Sequence, residues 1–91
     1  MGTSTDNLAQ FVRKYGTDKE SELIYLIRQN ILDSSNTEER KLKLEESLEV
    51  VLDQLLTRKY NLLYHHEKLP RTLHDVSAFI KSLRYNFSTL L

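Results

Sequence analysis

Between Leu44 and Leu56 the chain places apolar residues at positions 44, 48, 51, 52, 55 and 56. These steps gather all six on one side of an α-helix and would scatter them across both faces of a strand. Such a helix is apolar along one side only, so it needs other helices to cover that side. The rest of the chain agrees: two glycines and one proline among 91 residues leave few turns, too few for a protein of many short strands. The predicted fold class is all-α, a compact bundle of four to five helices. The length suits one domain. A disordered leader is expected over residues 1–5 and a single helical domain over residues 6–91.

The central helix should run from about Glu38 to Arg58. Ser35 or Thr37 would cap it, with Glu38 and Glu39 placed favourably in its first turn. Before it, a first helix is expected from Asp6 to Tyr15, with Leu8, Phe11, Val12 and Tyr15 on one side. Gly16 would end that helix in a left-handed conformation. Thr17-Asp18-Lys19-Glu20 matches a capping box opening a second helix to about Leu32. Its stripe is Leu23, Ile24, Leu26, Ile27 and Ile31, with Arg28, Gln29 and Asn30 between. Asp33-Ser34-Ser35-Asn36 is turn chemistry. Towards the C-terminus the spacing predicts a short helix over Tyr60–His66 that buries Leu62 and Leu63, then an interruption at Pro70. A last helix from about Thr72 to Tyr85 would bury Leu73, Val76, Phe79, Ile80 and Leu83. Leu48, Leu52 and Leu55 are expected in the core, and Leu52→Ala should cost about 2–5 kcal/mol.

Cysteine is absent, which removes disulfides and cysteine-ligated zinc. No apolar run approaches the roughly 20 residues that span a bilayer, and the first residues lack the pattern of a signal peptide. An intracellular protein without a membrane partner is expected. Net charge is zero but unevenly distributed: residues 1–56 carry 7 Lys+Arg and 11 Asp+Glu (−4), and residues 57–91 carry 6 and 2 (+4). Overall neutrality weighs against a nucleic-acid partner, which requires a strong positive field and shows itself by steep salt dependence. The positive C-terminal segment remains suited to an acidic partner.

Candidate chemistry is sparse. His65, His66, Glu67 and His74 are the only cluster resembling metal ligands. Adjacent helical residues diverge by about 100°, and no His-Glu-x-x-His pattern is present, so no metal is expected. Glu45, Glu46 and Glu49 cluster on the central helix opposite the leucines, among Lys41 and Lys43, with Glu39 to Lys43 at ion-pair spacing. They look like a solvated face. No serine sits in a Gly-x-Ser-x-Gly turn, and no glycine loop could cradle phosphate. The chain is therefore expected to be no enzyme, with no catalytic residues and no cofactor.

The C-terminal stretch is the unusual feature. Arg84-Tyr85-Asn86-Phe87, then Leu90-Leu91, concentrates aromatic and apolar residues where the last helix ends. These residues either fold back onto the core or border an apolar groove rimmed by Lys81 and Arg84. Such a groove would take a peptide with an aromatic anchor and acidic flanks. Arg71, Lys81, Arg84 and Asn86 would be the contacts of a helix-turn-helix. Arg71 and Arg84 stand at opposite ends of the segment, which makes a small nucleic-acid-binding domain the second reading.

Val51-Leu52-Asp53-Gln54-Leu55, Tyr60-Asn61-Leu62-Leu63 and Phe79-Ile80-Lys81-Ser82-Leu83-Arg84-Tyr85-Asn86 lie within a stretch that resembles the N-terminal domain of elongation factor TFIIS. The likeness is closest to the integrase-binding variant found in lens epithelium-derived growth factor. Leu32-Asp33 is similar to that variant's Ile-Asp pair in its first interhelical loop. The resemblance implies a right-handed helical bundle, a nuclear transcription or chromatin scaffold, and a protein partner with a disordered acidic, phenylalanine-bearing motif. It maps binding onto Leu32 and Asp33 and onto Arg84, Tyr85 and Phe87. With Lys81 from the charge argument, those are the candidate partner-binding residues of a monomeric interaction module.

Overall fold

A computed structural model describes the protein over residues 3–61 and 73–91. Among the described residues four α-helices follow in order: α1 (Thr3–Tyr15), α2 (Glu20–Leu32), α3 (Thr37–Asn61) and α4 (Leu73–Phe87). No strand occurs among the described residues. The expected short helix over Tyr60–His66 divides at this boundary. Tyr60 and Asn61 continue α3, while Leu62, Leu63 and Pro70 lie outside the described residues.

α1 begins at Thr3 rather than Asp6 and buries Leu8 and Val12. Phe11 and Tyr15, one turn apart, bring their rings to 4.9 Å between centroids. The Lys14 and Lys19 ammonium groups stand 5.3 and 5.0 Å from the Tyr15 ring, a cation–π arrangement that steadies the end of the helix. Gly16 then takes φ 61°, a left-handed conformation that only glycine adopts without steric cost. The capping box expected next does not open α2. Residues Gly16–Lys19 form a 3-10 helix, α2 starts at Glu20, and its N-cap Lys19 makes no side-chain cap.

α2 buries Leu23, Ile27 and Ile31, and also Asn30, which the spacing had placed on the polar side. Its amide Nδ2 donates to Ser47 Oγ of α3 at 2.7 Å, and Ser47 is fully buried. The bond gives each of the two buried polar side chains a partner within the core. The α2–α3 loop, residues 33–36, ends in a cap supplied by neither Ser35 nor Thr37. Asn36 Oδ1 accepts from the backbone amides of Glu38 at 2.8 Å and Glu39 at 3.2 Å. Asn36 stands one position before the helix, where its side-chain oxygen reaches both orphan amides at once. Ser34 is buried; its hydroxyl donates to Glu39 Oε2 at 2.6 Å and accepts from the Asn36 amide at 3.2 Å.

α3 is the central element and packs against α1, α2 and α4. Leu44, Leu48, Val51 and Leu55 are buried, while Leu52 and Leu56 are half-buried. At about 100° per residue the first four lie within a narrow arc, and Leu52 and Leu56 fall further round towards α4. The expectation that Leu52 is core is thereby corrected: it lies at the edge of the stripe, where α3 and α4 diverge. Phe79 and Ile80 of α4 are likewise half-buried, whereas Val76, Leu83 and Phe87 are core. α4 runs two residues beyond Tyr85 to Phe87 and tightens into a 3-10 helix over Ser88–Leu90.

These positions predict where truncation hurts. Leu48→Ala should cost about 2–5 kcal/mol, because it leaves an enclosed cavity. Leu52→Ala should cost about 1 kcal/mol, because the solvent already reaches that side chain. Urea denaturation of both variants measures the difference; equal losses would contradict the assignment of Leu52 to the edge.

Candidate interaction surface

α3 and α4 run antiparallel. Glu45, near the start of α3, meets Arg84, near the end of α4. Leu56, further along α3, shares a recess with Val76, near the start of α4. Along their line of divergence lie two adjoining recesses of about 230 and 310 Å³. Half-buried Leu52, Leu56 and Ile80 supply the accessible apolar surface, with the core residues Leu48 and Val76 beneath them. Glu45 and Glu49 rise on the α3 side, and Lys81 and Arg84 on the α4 side. Because both recesses include Leu52, Ile80 and Arg84, they form one continuous groove.

The Arg84 guanidinium donates to the Glu45 carboxylate, and about half of each side chain is exposed. That hydrogen bond raises the Arg84 pKa above its ordinary value; slight burial opposes the rise, and the Glu45 charge adds to it. Arg84 therefore carries its charge at every working pH. Glu39 does not pair with Lys43 as the spacing suggested, because its carboxylate is engaged by Ser34. Lys43 instead reaches Asp33 Oδ2 at 3.4 Å.

The candidate partner-binding residues separate into three groups. Lys81, Arg84 and Tyr85 stand on the exposed side of α4, and Tyr85 is 81% exposed. Phe87 is 2% exposed, so its ring is part of the core. Of the two aromatics in Arg84-Tyr85-Asn86-Phe87, one folds inward and the other points to solvent. Leu32 is 38% exposed and Asp33 is exposed, but they lie on the other flank of α3. Lys43, which holds Asp33, and Glu45, which holds Arg84, are two residues apart and so about 200° apart around the helix. Both flanks nonetheless share one end of the bundle. Arg40 donates from Nε to the Ser34 carbonyl at 2.6 Å and from Nη1 to the Leu90 carbonyl at 3.2 Å, which ties the α2–α3 loop to the chain end.

A second recess, of about 490 Å³, lies between α1 and α3. Asp6, Glu46, Glu49 and Asp53 line it, with Ala9, Val50 and Gln54. Among the described residues no group of three or more His, Asp or Glu side chains could hold a metal ion. His74 is exposed; His65, His66, Glu67 and Arg71 lie outside the described residues. No helix among the described residues is long and apolar enough to cross a membrane. Compared with known proteins, the chain matches no family model, no curated protein and no solved structure.

The sequence points to a groove rimmed by Lys81 and Arg84 but does not reveal its floor of Leu52, Leu56 and Ile80. The wide stripe of α3 reads as core in the sequence, although Leu52 and Leu56 are only half-buried. The available signal was that Leu52 and Leu56 sit on one margin of the stripe, as Ile80 does in α4.

The Arg40 tie has a measurable consequence. Arg40→Ala should leave the four helices in place and speed amide exchange at Leu91, whose N–H is held at 3.4 Å from the Ser88 carbonyl. Unchanged protection there would mean that the chain end needs no help from Arg40.

Proposed function

We propose that this protein is a non-enzymatic interaction module that binds a short segment of another protein along α4 and the α3–α4 groove. One observation carries the reading: an apolar groove whose α4 rim, Lys81 and Arg84, is cationic, with exposed Tyr85 following Arg84 in α4. An apolar floor supplies affinity through desolvation, and rim charges select the partner and speed encounter. The preferred segment carries apolar or aromatic anchors and acidic residues facing Lys81 and Arg84. Leu32 and Asp33 would meet a partner only if it wrapped around the end of the bundle. The similarity to the TFIIS N-terminal domain extends the proposal to a monomeric transcription or chromatin scaffold in the nucleus.

The test is affinity capture from extracts of the source cells, run in parallel on the native chain and on variants, followed by titration of the captured protein. Arg84→Glu should weaken binding mostly at low salt, because exposed charges are screened over about 8 Å at physiological ionic strength. Tyr85→Ala should weaken it at every salt concentration. A partner bound equally by the native chain and both variants would overturn the assignment to α4.

A further inference from the structure

We infer that the occupant of the α3–α4 groove is an amphipathic helix of about three turns, with one acidic edge and one basic edge. The inference rests on the proposed interaction role and goes beyond it by fixing the conformation and charge pattern of the partner segment.

Conformation follows from the backbone. Both walls of the groove are helices, whose interior amides and carbonyls bond within the helix. Neither wall offers the row of free N–H and C=O groups that an added strand requires. An extended peptide pressed onto Leu52, Leu56 and Ile80 would bury its own backbone groups without partners, at a large cost. A helix satisfies its backbone internally and can present side chains alone. The length agrees: from Glu45 to Leu56 the groove follows about three turns of α3, or about 16 Å at 1.5 Å per residue. Apolar side chains at helical spacing i, i+3 or i+4, i+7 and i+11 would cover that floor.

Charge pattern follows from the rims. The α3 rim is anionic, with Glu45 and Glu49, and the α4 rim is cationic, with Lys81 and Arg84. Glu45 and Arg84 satisfy one another at one end. Glu49 and Lys81 are exposed and have no ion-pair partner among the described residues. A helix lying between them gains on both sides when its edge towards α4 is acidic and its edge towards α3 is basic. A segment acidic on both edges would set like charges against Glu49, and one basic on both edges would set them against Lys81. A helix with mixed edges can always match, because reversing its direction exchanges the edges; the charge pattern thus fixes which way the segment runs.

The experiment uses three fluorescein-labelled synthetic helices of fourteen residues that share one leucine stripe. Their edges are acidic and basic, both acidic, or both basic. Anisotropy titrations on the full chain are combined with amide-shift mapping. The mixed helix should bind about fivefold tighter than either uniform one, the scale of an exposed ion pair, and should shift the amides of Leu52, Ile80 and Lys81. Lys81→Glu should weaken the mixed helix and strengthen the both-basic one. Glu49→Lys should strengthen the both-acidic one. Both positions are exposed, so circular dichroism of the variants should match that of the native chain. If all three helices bind in the groove with equal affinity and the two variants change nothing, the charge-pattern inference falls while the docking role stands. If none of them shifts the groove amides, the docking role falls with it.

Discussion

The bundle depends on the packing of α3's buried ridge, Leu44, Leu48, Val51 and Leu55, against the three other helices. Among the described residues α1, α2 and α4 each bury only two to four side chains, so none could hold its fold without that ridge. The Asn30–Ser47 hydrogen bond lies within the same packing and fixes how α2 sits on α3. A polar pair is a weak source of net stability, but a slipped register would strand two buried polar groups, so it penalises the alternatives. Arg40 then closes the end of the bundle by binding the α2–α3 loop and the last residues to one guanidinium.

The groove is a consequence of the same ridge. One helix serves three partners, and α4 approaches it from the side that carries Leu52 and Leu56. These two leucines and Ile80 are too far round to be enclosed and too apolar to be surplus. Half-buried apolar residues gathered in one trough, between charged rims, differ from scattered exposed leucines, which need no explanation. Leu42 and Leu91, also exposed, are of that ordinary kind. The opposite charges of the two halves of the chain become local in the same way. α3 presents Glu45 and Glu49 to the trough and α4 presents Lys81 and Arg84, so a neutral protein acquires a polarised trough.

Much of this was legible in the sequence because it follows from period. The stripes of α1 to α4 reflect the helical repeat, and Gly16 ends α1 because its backbone conformation excludes other residues. Legibility failed where two residues could do one task and only distance decides. Asn36 caps α3 although Ser35 and Thr37 have the chemistry, and Lys43 pairs with Asp33 although Glu39 has the spacing. Asn30 read as polar surface because its partner, Ser47, is 17 positions away. The tail divided the same way: Tyr85 and Phe87 are two positions apart, which on a helix puts them on nearly opposite sides. The Lys81 and Arg84 rim was anticipated from charge. The floor was not, because a stripe does not reveal where the neighbouring helix stops covering it.

In the proposed role α3's apolar stripe is divided: Leu44, Leu48, Val51 and Leu55 hold the fold, and Leu52 and Leu56, with Ile80, receive a partner. Intermolecular nuclear Overhauser effects between methyl-labelled protein and the bound mixed-edge helix test it most directly. Cross-peaks are expected from the methyls of Leu52, Leu56 and Ile80 and none from Val51 or Leu83. Cross-peaks from Ala9 and Val50 instead, in the recess between α1 and α3, would contradict it.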